Sequence, residues 1–283
     1  MSNTFTIGRH GSFQLRYGWI TKGIQAIQAK KAHKISDVFT SDDATVNLGV
    51  GKNMVAAIRY WLTATKVIDN GSITEFGEFL NQKDIYLEDD ASLWLLHLAL
   101  VQNKELATSV YWLFNHFHQN EFSAEEAGNA FLSYASENNW KGSEKTLKMD
   151  IQVILRMYAP HKSKKTQIED MLESPLSLLG LIQYFDGKYH FSFGSKNIPI
   201  EVVTHNINER FRNDKTVSVQ NLMYGDNAFA PALKIREDEL IAILEKITQK
   251  YNDYHLREDA GVFQLHKSIT TDTYEYLKKY YAT

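Results

Sequence analysis

The sequence predicts a mainly α-helical protein with minor β-structure (α+β minor), in which a multi-helical N-terminal domain precedes a winged-helix-like C-terminal subdomain of helices and a hairpin. Two observations support this fold class. Apolar residues recur at helical spacing through residues 20–158, whereas short aromatic alternation appears only afterwards, in LIQYFDGKYHFSF. The 283 residues are 43% hydrophobic and 12% aromatic, which is enough apolar material for a sizeable core.

Helices are expected throughout the first domain, residues 1–159. Several have clear start signals, such as Asp89-Asp90 before ASLWLLHLAL, and Ser123 with Glu126 three residues later. The domain ends before Pro160–Lys165, a polar and basic connector. The predicted helices are Ile20–Lys31, Lys52–Lys66, Asp89–Val101, Ala107–His118, Ala124–Glu137 and Ser143–Tyr158.

The second domain, residues 166–283, has a different pattern. Pro175–Ile182 is predicted as a short helix, Asp186-Gly187 as the turn of a hairpin, and Ile198–Phe211 as a helix beginning at Pro199. Helices joined to a small hairpin are typical of winged-helix units. Such units bind DNA in some proteins and join subunits in others. Because this half belongs to the negatively charged part of the chain, docking of a partner protein is favoured over DNA binding.

Charge is unevenly distributed along the chain. The formal net charge is −3, but residues 1–66 have nine basic and three acidic side chains, a net of +6, and the remainder has a net of −9. Such asymmetry indicates a polyanion partner on one surface, and DNA is the expected partner. The basic residues are Arg9, Arg16, Lys22, Lys30, Lys31, Lys34, Lys52, Arg59 and Lys66.

The chain has no cysteine, so disulfides and thiolate metal sites are excluded and a reducing cytoplasm is expected. The N-terminus MSNTFTIGRHGSF lacks an apolar stretch of signal-peptide length, and no window approaches 18 consecutive apolar residues. We therefore expect a cytoplasmic protein without a membrane partner.

The stretch NLGVGKNMVAAIRYW contains a Gly-x-Gly-Lys sequence that superficially resembles a phosphate-binding loop. A Walker loop needs a glycine where this chain has Val46 and a Ser or Thr where it has Asn53, so no nucleotide cofactor is expected. Lys52, Arg59 and Lys66 recur every seven residues and would share one edge of a helix whose N-terminus favours anions. This pattern predicts a DNA-backbone site, although a solvated helix face is the alternative. The assigned DNA-binding residues are Arg9, Arg16, Lys22, Lys52, Asn53 and Arg59.

Candidate catalytic groups are fewer. His10, between Arg9 and Gly11, is the histidine best placed to act as general base or phosphate donor, with an exposed loop histidine as the alternative. Asp42 and Asp43, before the glycine turn, are candidate catalytic carboxylates near it. Glu88-Asp89-Asp90 is a second acidic group, but carboxylates in these positions also cap helices. The metal ligands stay unassigned.

Other histidines are weaker candidates. His97 lies in an apolar helix and is predicted to be a hydrogen-bonded core residue, whereas His205 and Glu209 lack the second histidine of a zinc helix. Tyr17 and Tyr60 follow arginines and could lie along a nucleotide. The tryptophans fall in apolar stripes and are expected in the core.

Four stretches carry a family resemblance: GRHGSFQLRYGWITKG, DDATVNLGVGKNMVAAIRYW, YLEDDASLWLLHLAL and LREDAGVFQL. Together they resemble a bacterial family of formerly unknown function, found beside sulfur-handling enzymes in DNA modification islands, that includes the SspB DNA nickase subunit of the Ssp DNA phosphorothioation system. The resemblance implies nicking of one DNA strand, a divalent metal (Mg or Mn), and partners such as a PAPS-reductase-like sulfurtransferase and an ATPase. In that family a His-Glu-Thr-Phe motif is expected where this chain has His10-Gly11-Ser12-Phe13.

These observations lead to three functional hypotheses. The first is a DNA-binding component of a phosphorothioation system that nicks one strand with a metal near His10 and Asp42 or Asp43. The second is a catalytically silent DNA-binding or scaffold subunit, which the missing glutamate favours. The third, a nucleotide-binding regulator, depends only on the Gly-Lys pair. DNA sequence preference and oligomeric state stay open.

Overall fold

The computed structural model describes residues 5–29, 35–70, 72–140, 142–160, 174–194, 197–225, 228–270 and 272–282. The chain divides into two compact units, Met1–Ser192 and Phe193–Thr283. Helices predominate and the strands are short, as the mainly α prediction with minor β-structure requires. Residues 161–165 of the predicted connector, and the cations Lys30, Lys31 and Lys34, lie outside the described residues.

Helices form most of the first unit, and the predicted ones are present with shifts of a few residues at their ends. The helices are α1 (Trp19–Ala29), α2 (Ile35–Thr40), α3 (Ala44–Leu48), α4 (Lys52–Ala64), α5 (Glu75–Lys83), α6 (Asp90–Val101), α7 (Thr108–Asn115), α8 (Ala124–Glu137) and α9 (Glu144–Tyr158). The strands are β1 (Ile68–Asp69), β2 (Ser72–Ile73), β3 (Glu121–Phe122), β4 (Ile182–Phe185) and β5 (Lys188–Phe191). Pro175–Leu179, predicted as part of a helix, forms a short 3-10 helix.

The core of this unit is built around α6, which is buried on nearly all sides because its residues are apolar all round. Helix α1 packs against α4 at Gly23, where a side chain would collide with Leu62. Ser123 and Glu126 cap the start of α8 reciprocally, as predicted. These contacts fix α1 and α4, the two helices that carry most of the candidate DNA-binding residues.

The predicted hairpin is present, with Asp186 and Gly187 both in the left-handed region (φ 50° and 78°), as a two-residue hairpin turn requires. Its strand β5 also pairs with Glu121–Phe122, and Phe122 stacks on Tyr189. The hairpin therefore belongs to the first unit. The units divide at Ser192 and Phe193, later than the predicted boundary at residues 160–165.

The second unit alternates helices and strands. Its helices are α10 (Ile200–Arg210), α11 (Val219–Tyr224), α12 (Glu237–Lys250) and α13 (Glu275–Tyr280), and a short 3-10 helix spans Ala230–Leu233. Its strands β6 (Thr216–Ser218), β7 (Tyr254–Asp259) and β8 (Val262–Lys267) form an antiparallel sheet in the order β6-β8-β7. The hairpin of this unit is therefore β7–β8, which the sequence did not predict.

None of the described helices has both the length and the apolar composition needed to cross a bilayer.

Candidate nucleic-acid interface

The segment Gly8–Phe13, here named the motif loop, consists of two tight turns. Gly11 N–H donates to the Gly8 carbonyl at 3.2 Å, and Phe13 N–H donates to the His10 carbonyl at 3.0 Å. Gly8, Gly11 and Ser12 have positive φ angles of 74°, 57° and 70°. This backbone leaves Gly11 and Ser12 exposed and turns His10 into the protein, where only 1% of its surface is accessible.

Asp150 of α9 holds the first half of the motif loop. Its Oδ1 accepts the Gly8 N–H at 2.7 Å and lies 2.6 Å from His10 Nε2, and its Oδ2 accepts the Ser109 hydroxyl at 2.6 Å. The His10 ring stacks on Trp61 at an interplanar angle of 10°. Neither ring nitrogen makes a hydrogen bond of good geometry within the described part of the chain.

Two further side chains hold the second half of the loop. The Arg156 guanidinium donates to the Ser12 carbonyl at 3.2 Å, and Trp61 Nε1 donates to the Phe13 carbonyl at 3.0 Å. Partial burial lowers the pKa of Arg156 from its usual value. The loop is thus held in one conformation by side chains from α4 and α9, and Ser109 of α7 supports Asp150.

Sequence reasoning did not identify Asp150, Ser109 or Arg156. A signal for Asp150 existed, because it is a lone carboxylate between the buried Leu147 and Ile151 on the apolar face of α9. A buried charge in such a position needs partners elsewhere in the chain.

The structure rules out the alternative of an exposed loop histidine at His10, because the ring is enclosed by Tyr60, Trp61 and Asp150. The carboxylate beside it is Asp150 and not Asp42 or Asp43. Asp42 and Asp43 are both exposed, and Asp43 precedes α3 without a side-chain capping bond. A role for His10 as general base would require the motif loop to move.

Lys22 reaches the glycine turn before α4. Its ammonium donates to the Leu48 carbonyl at 3.2 Å, and it lies 3.8 Å from the position that a Cβ on Gly49 would occupy. Gly49 ends α3 in the left-handed conformation (φ 63°). The turn then leads through Gly51 into Lys52, the first residue of α4. Lys22 and the N-terminus of α4 therefore belong to one corner of the unit.

Lys52, Asn53 and Arg59 are exposed on α4, and Arg9 is exposed on the motif loop. Within the described ranges, Arg9, Lys22, Lys52 and Arg59 have no carboxylate partner. Arg16 differs from them. It is partly buried, with its guanidinium carbon 6.0 Å from the Phe13 ring centroid and 5.7 Å from that of Trp19.

The motif loop and the glycine turn contact different ends of α4. His10 and Phe13 contact Tyr60 and Trp61, whereas Lys22 meets the turn before Lys52. At 1.5 Å per residue, the nine residues between Lys52 and Trp61 separate these ends by about 14 Å along the helix. The structure therefore groups Lys22, Lys52 and Asn53 at one end, and Arg9, His10 and Arg16 at the other.

Three further candidate side chains have structural partners. Asp89 caps α6 by accepting the Ala91 N–H, His97 is fully buried with Nδ1 2.8 Å from the Tyr158 hydroxyl, and His205 Nδ1 lies 2.8 Å from the Thr273 carbonyl. Among the residues described, no three His, Asp or Glu side chains are grouped closely enough to hold a metal ion. These side chains thus do not fit a magnesium site built from three such ligands.

The two tyrosines considered as nucleotide contacts differ in exposure. Tyr60 packs against His10 and Trp61 and donates to the Leu106 carbonyl, and burial raises the pKa of its hydroxyl. Tyr17 is 38% exposed, and burial together with Asp90 and Asp84 raises its pKa. Only Tyr17 presents much of its ring to solvent.

Comparison with known proteins identifies relatives of the whole chain. A crystal structure of SspB with a bound magnesium ion has 26% sequence identity and a TM-score of 0.84, and a second SspB crystal structure has 27% identity and a TM-score of 0.83. Each match covers 98% of this chain and 88% of the SspB chain. No curated protein matches significantly. The sequence profile of the DUF4007 family, described as a protein of unknown function, matches residues 7–281, and the chain belongs to this family.

Proposed function

We propose that this protein is a DNA-binding component of an SspB-type DNA phosphorothioation system and that it nicks one DNA strand. The observation that supports DNA binding most directly is a set of exposed cations without carboxylate partners in the described residues: Arg9, Lys22, Lys52 and Arg59. Within the described part of the chain, ion pairing does not compete for them, so they are available to phosphates. Their contacts would position the duplex and carry no base information.

The corner formed by Lys22, the glycine turn and Lys52 supports the proposal further. Gly51 precedes α4 without a side-chain capping bond, so the helix begins with unsatisfied backbone N–H groups beside two ammonium groups. Helix N-termini favour anions, and Arg59 continues the positive edge two turns along α4. A sugar-phosphate chain following this edge would meet Lys52 and then Arg59.

The proposed nicking activity is supported by likeness to SspB, one of whose crystal structures contains magnesium. The residues described do not supply three grouped ligands, so we assign no protein ligands to a metal. His10, Asp42 and Asp43 are the proposed catalytic residues, with Asp42 and Asp43 accessible and His10 dependent on opening of the motif loop. The proposed partners are a PAPS-reductase-like sulfurtransferase and an ATPase of the same system.

A second function, a catalytically silent DNA-binding scaffold, is favoured by one observation. Gly11 occupies the exposed position where the family motif is expected to have glutamate, and the neighbouring His10 is enclosed. The two functions share the DNA-binding surface and differ only in chemistry.

For the second unit we propose a winged-helix module that docks a partner protein. Its order from α10 to β8 is helix, strand, helix, helix, strand, strand, with α13 following, and its sheet order β6-β8-β7 makes the β7–β8 hairpin the proposed wing. The exposed Glu258 and Asp259 end the first wing strand, and the exposed Glu237 and Asp238 begin α12. Acidic groups at both places oppose phosphate and suit a basic protein surface.

DNA binding is tested by measuring affinity for a duplex oligonucleotide across salt concentrations. We expect log Kd to depend steeply on log salt, with a slope of about one per phosphate contact. The variants Lys52→Glu and Arg59→Glu should weaken binding and reduce the slope. Lys145→Glu, the same charge reversal on an exposed position of α9, is the control and should change neither. Equal slopes in all variants would remove α4 from the interface.

Nicking is tested on supercoiled plasmid with magnesium, with manganese and with EDTA. The nickase proposal predicts open circles only with metal, and loss of that activity in Asp42→Asn or Asp43→Asn at unchanged DNA affinity. A plasmid that stays supercoiled under all metal conditions, despite tight binding, would establish the scaffold function instead.

A further inference from the structure

A groove of about 650 Å³ opens beside the glycine turn, between α1 and α3. One wall is a single face of α1, with residues at positions i, i+3, i+4 and i+7, and the opposite wall is α3 with its Gly49 cap. Helix α2 contributes Val38, which is buried. Among the residues that line the groove are Lys22, Gln25, Ala26, Val46, Asn47 and Gly49.

The lining combines three chemistries. Within the described residues, Lys22 provides an ammonium without a carboxylate partner, and the lining contains no acidic side chain. Gln25 and Asn47 provide exposed amides, each of which can both donate and accept hydrogen bonds. The walls are otherwise aliphatic, and Val46 at the rim is 79% exposed, unusual for so large an apolar side chain.

We propose that this groove binds one unstacked nucleotide. The inference rests on the proposed DNA-binding function and extends it, because it assigns the groove to a base and its phosphate and not to duplex backbone. Lys22 contacts the phosphate, the amides of Gln25 and Asn47 meet the base edge, and Ala26 and Val46 contact the base faces.

Size, position and charge all support this ligand. Pockets of roughly 300–1,000 Å³ hold small organic ligands, and a single nucleotide is within that range. The groove shares Lys22 with the corner that begins α4, so a strand bound along Lys52 and Arg59 could place one extruded nucleotide there without a second cationic site. Extruding a base is least costly where it is already unpaired.

The test uses oligonucleotide duplexes with 2-aminopurine, one fully paired and one with the 2-aminopurine as a single-base bulge. We expect the protein to bind the bulged duplex more tightly and to change the fluorescence of the bulged base. Asn47→Asp places a negative charge in the groove with almost no change of shape and should reduce the bulge preference about tenfold. Asn129→Asp, the same change at an exposed position of α8, is the control and should keep the preference.

Ala26→Leu is a second, uncharged variant that fills the groove from α1. It should remove the bulge preference while the affinity for the paired duplex and its salt slope stay unchanged, because Ala26 is not among the proposed backbone contacts. Thermal melting checks that each variant is folded. If Ala26→Leu does not fold, the bulge preference of Asn47→Asp by itself tests the nucleotide site. Equal affinity of the wild type for both duplexes, or a preference that survives Asn47→Asp, would overturn the nucleotide site.

Free dAMP distinguishes failure of this inference from failure of the proposed function. If the wild type binds neither duplex, the DNA-binding proposal fails, and a dAMP titration followed by NMR then tests the groove by itself. Saturable shifts that weaken in Asn47→Asp but not in Asn129→Asp would support a groove for mononucleotides. An absence of saturable shifts would reject it.

Discussion

At the residue scale, Asp150 supports the motif loop through buried contacts. It is 1% exposed and accepts hydrogen bonds from Gly8 and Ser109 while lying beside His10. Asp150→Ala would leave these buried polar groups without their partner. Because a buried polar group left without its hydrogen-bond partner costs about 1–3 kcal/mol, and two donors lose theirs, we expect the free energy of unfolding to fall by about 2–6 kcal/mol. Denaturant-induced unfolding would measure it.

Two further variants make this prediction specific. Asp150→Asn keeps the shape and one acceptor oxygen, so its loss of stability should be smaller than that of Asp150→Ala. Asp43→Ala removes an exposed carboxylate without a capping hydrogen bond, and its effect should stay within about 0.5 kcal/mol. If Asp150→Ala were as mild as Asp43→Ala, the proposed anchoring of the loop would be wrong.

Lys234 predicts a pH dependence of stability. It is 5% exposed, its Nζ lies 5.8 Å from the Phe193 ring centroid, and burial lowers its pKa from 10.5 to about 7. Between pH 7 and pH 10.5, Lys234 is therefore protonated in the unfolded chain but not in the folded chain. The contribution of Lys234 to stability therefore rises with pH from about 7 to 10.5, and it is least favourable below pH 7.

The variant Lys234→Met removes this protonation change and keeps most of the apolar side chain. We expect it to stabilise the protein at pH 6.5 by a few kcal/mol, and its advantage over the wild type to shrink as the pH approaches 10. Melting temperatures of both proteins across this pH range would measure the difference. Lys246→Met, at an exposed position of α12, is the control, and an advantage of Lys234→Met that did not vary with pH would contradict the assignment.

At the element scale, the sequence predicted the helices and turns that depend on residues close to one another in the chain. Apolar spacing and the Ser123–Glu126 pair predicted α8 with its observed ends, and Asp186-Gly187 predicted the hairpin turn. Strand β3 was missed because it has two residues and exists only through pairing with β5. Strand β7 was missed because most of its side chains are exposed, so its apolar alternation is weak.

For the candidate site, too, the sequence predicted the features that depend on local spacing but not those that depend on long-range contacts. The positive edge of α4 follows from the seven-residue spacing of Lys52 and Arg59, which is a local property. The environment of His10 depends instead on Asp150, because the Gly8–Asp150 hydrogen bond joins residues 142 positions apart. Hydrophobic periodicity contains no information about such a pairing. The burial of His10 beside Asp150 could therefore not be predicted from the sequence, and a catalytic role for His10 stays a prediction.

At the scale of the whole molecule, the negative charge lies mainly in the first unit. Residues 67–192 have ten basic and 18 acidic side chains, whereas residues 193–283 have 12 and 13. The first unit thus combines a basic segment, residues 1–66, with an acidic remainder. The formal net charge is −2 for the first unit and −1 for the second, so the attraction proposed for DNA comes from the local set of exposed cations and not from net charge.

Each unit has its own buried core, since Val202, Leu240, Leu244 and Leu265 are fully buried in the second unit as Ile58, Trp61 and Leu96 are in the first. We therefore expect residues 193–283 to fold when expressed alone and to unfold cooperatively on heating, as measured by circular dichroism.

Residues 1–192 should retain the DNA affinity and salt slope of the full chain, because every proposed phosphate contact lies within them. Residues 193–283 should bind the same duplex much more weakly and without a steep salt dependence. Tight, salt-sensitive binding by the second unit would instead place the DNA surface on that unit and leave α4 without the function proposed for it.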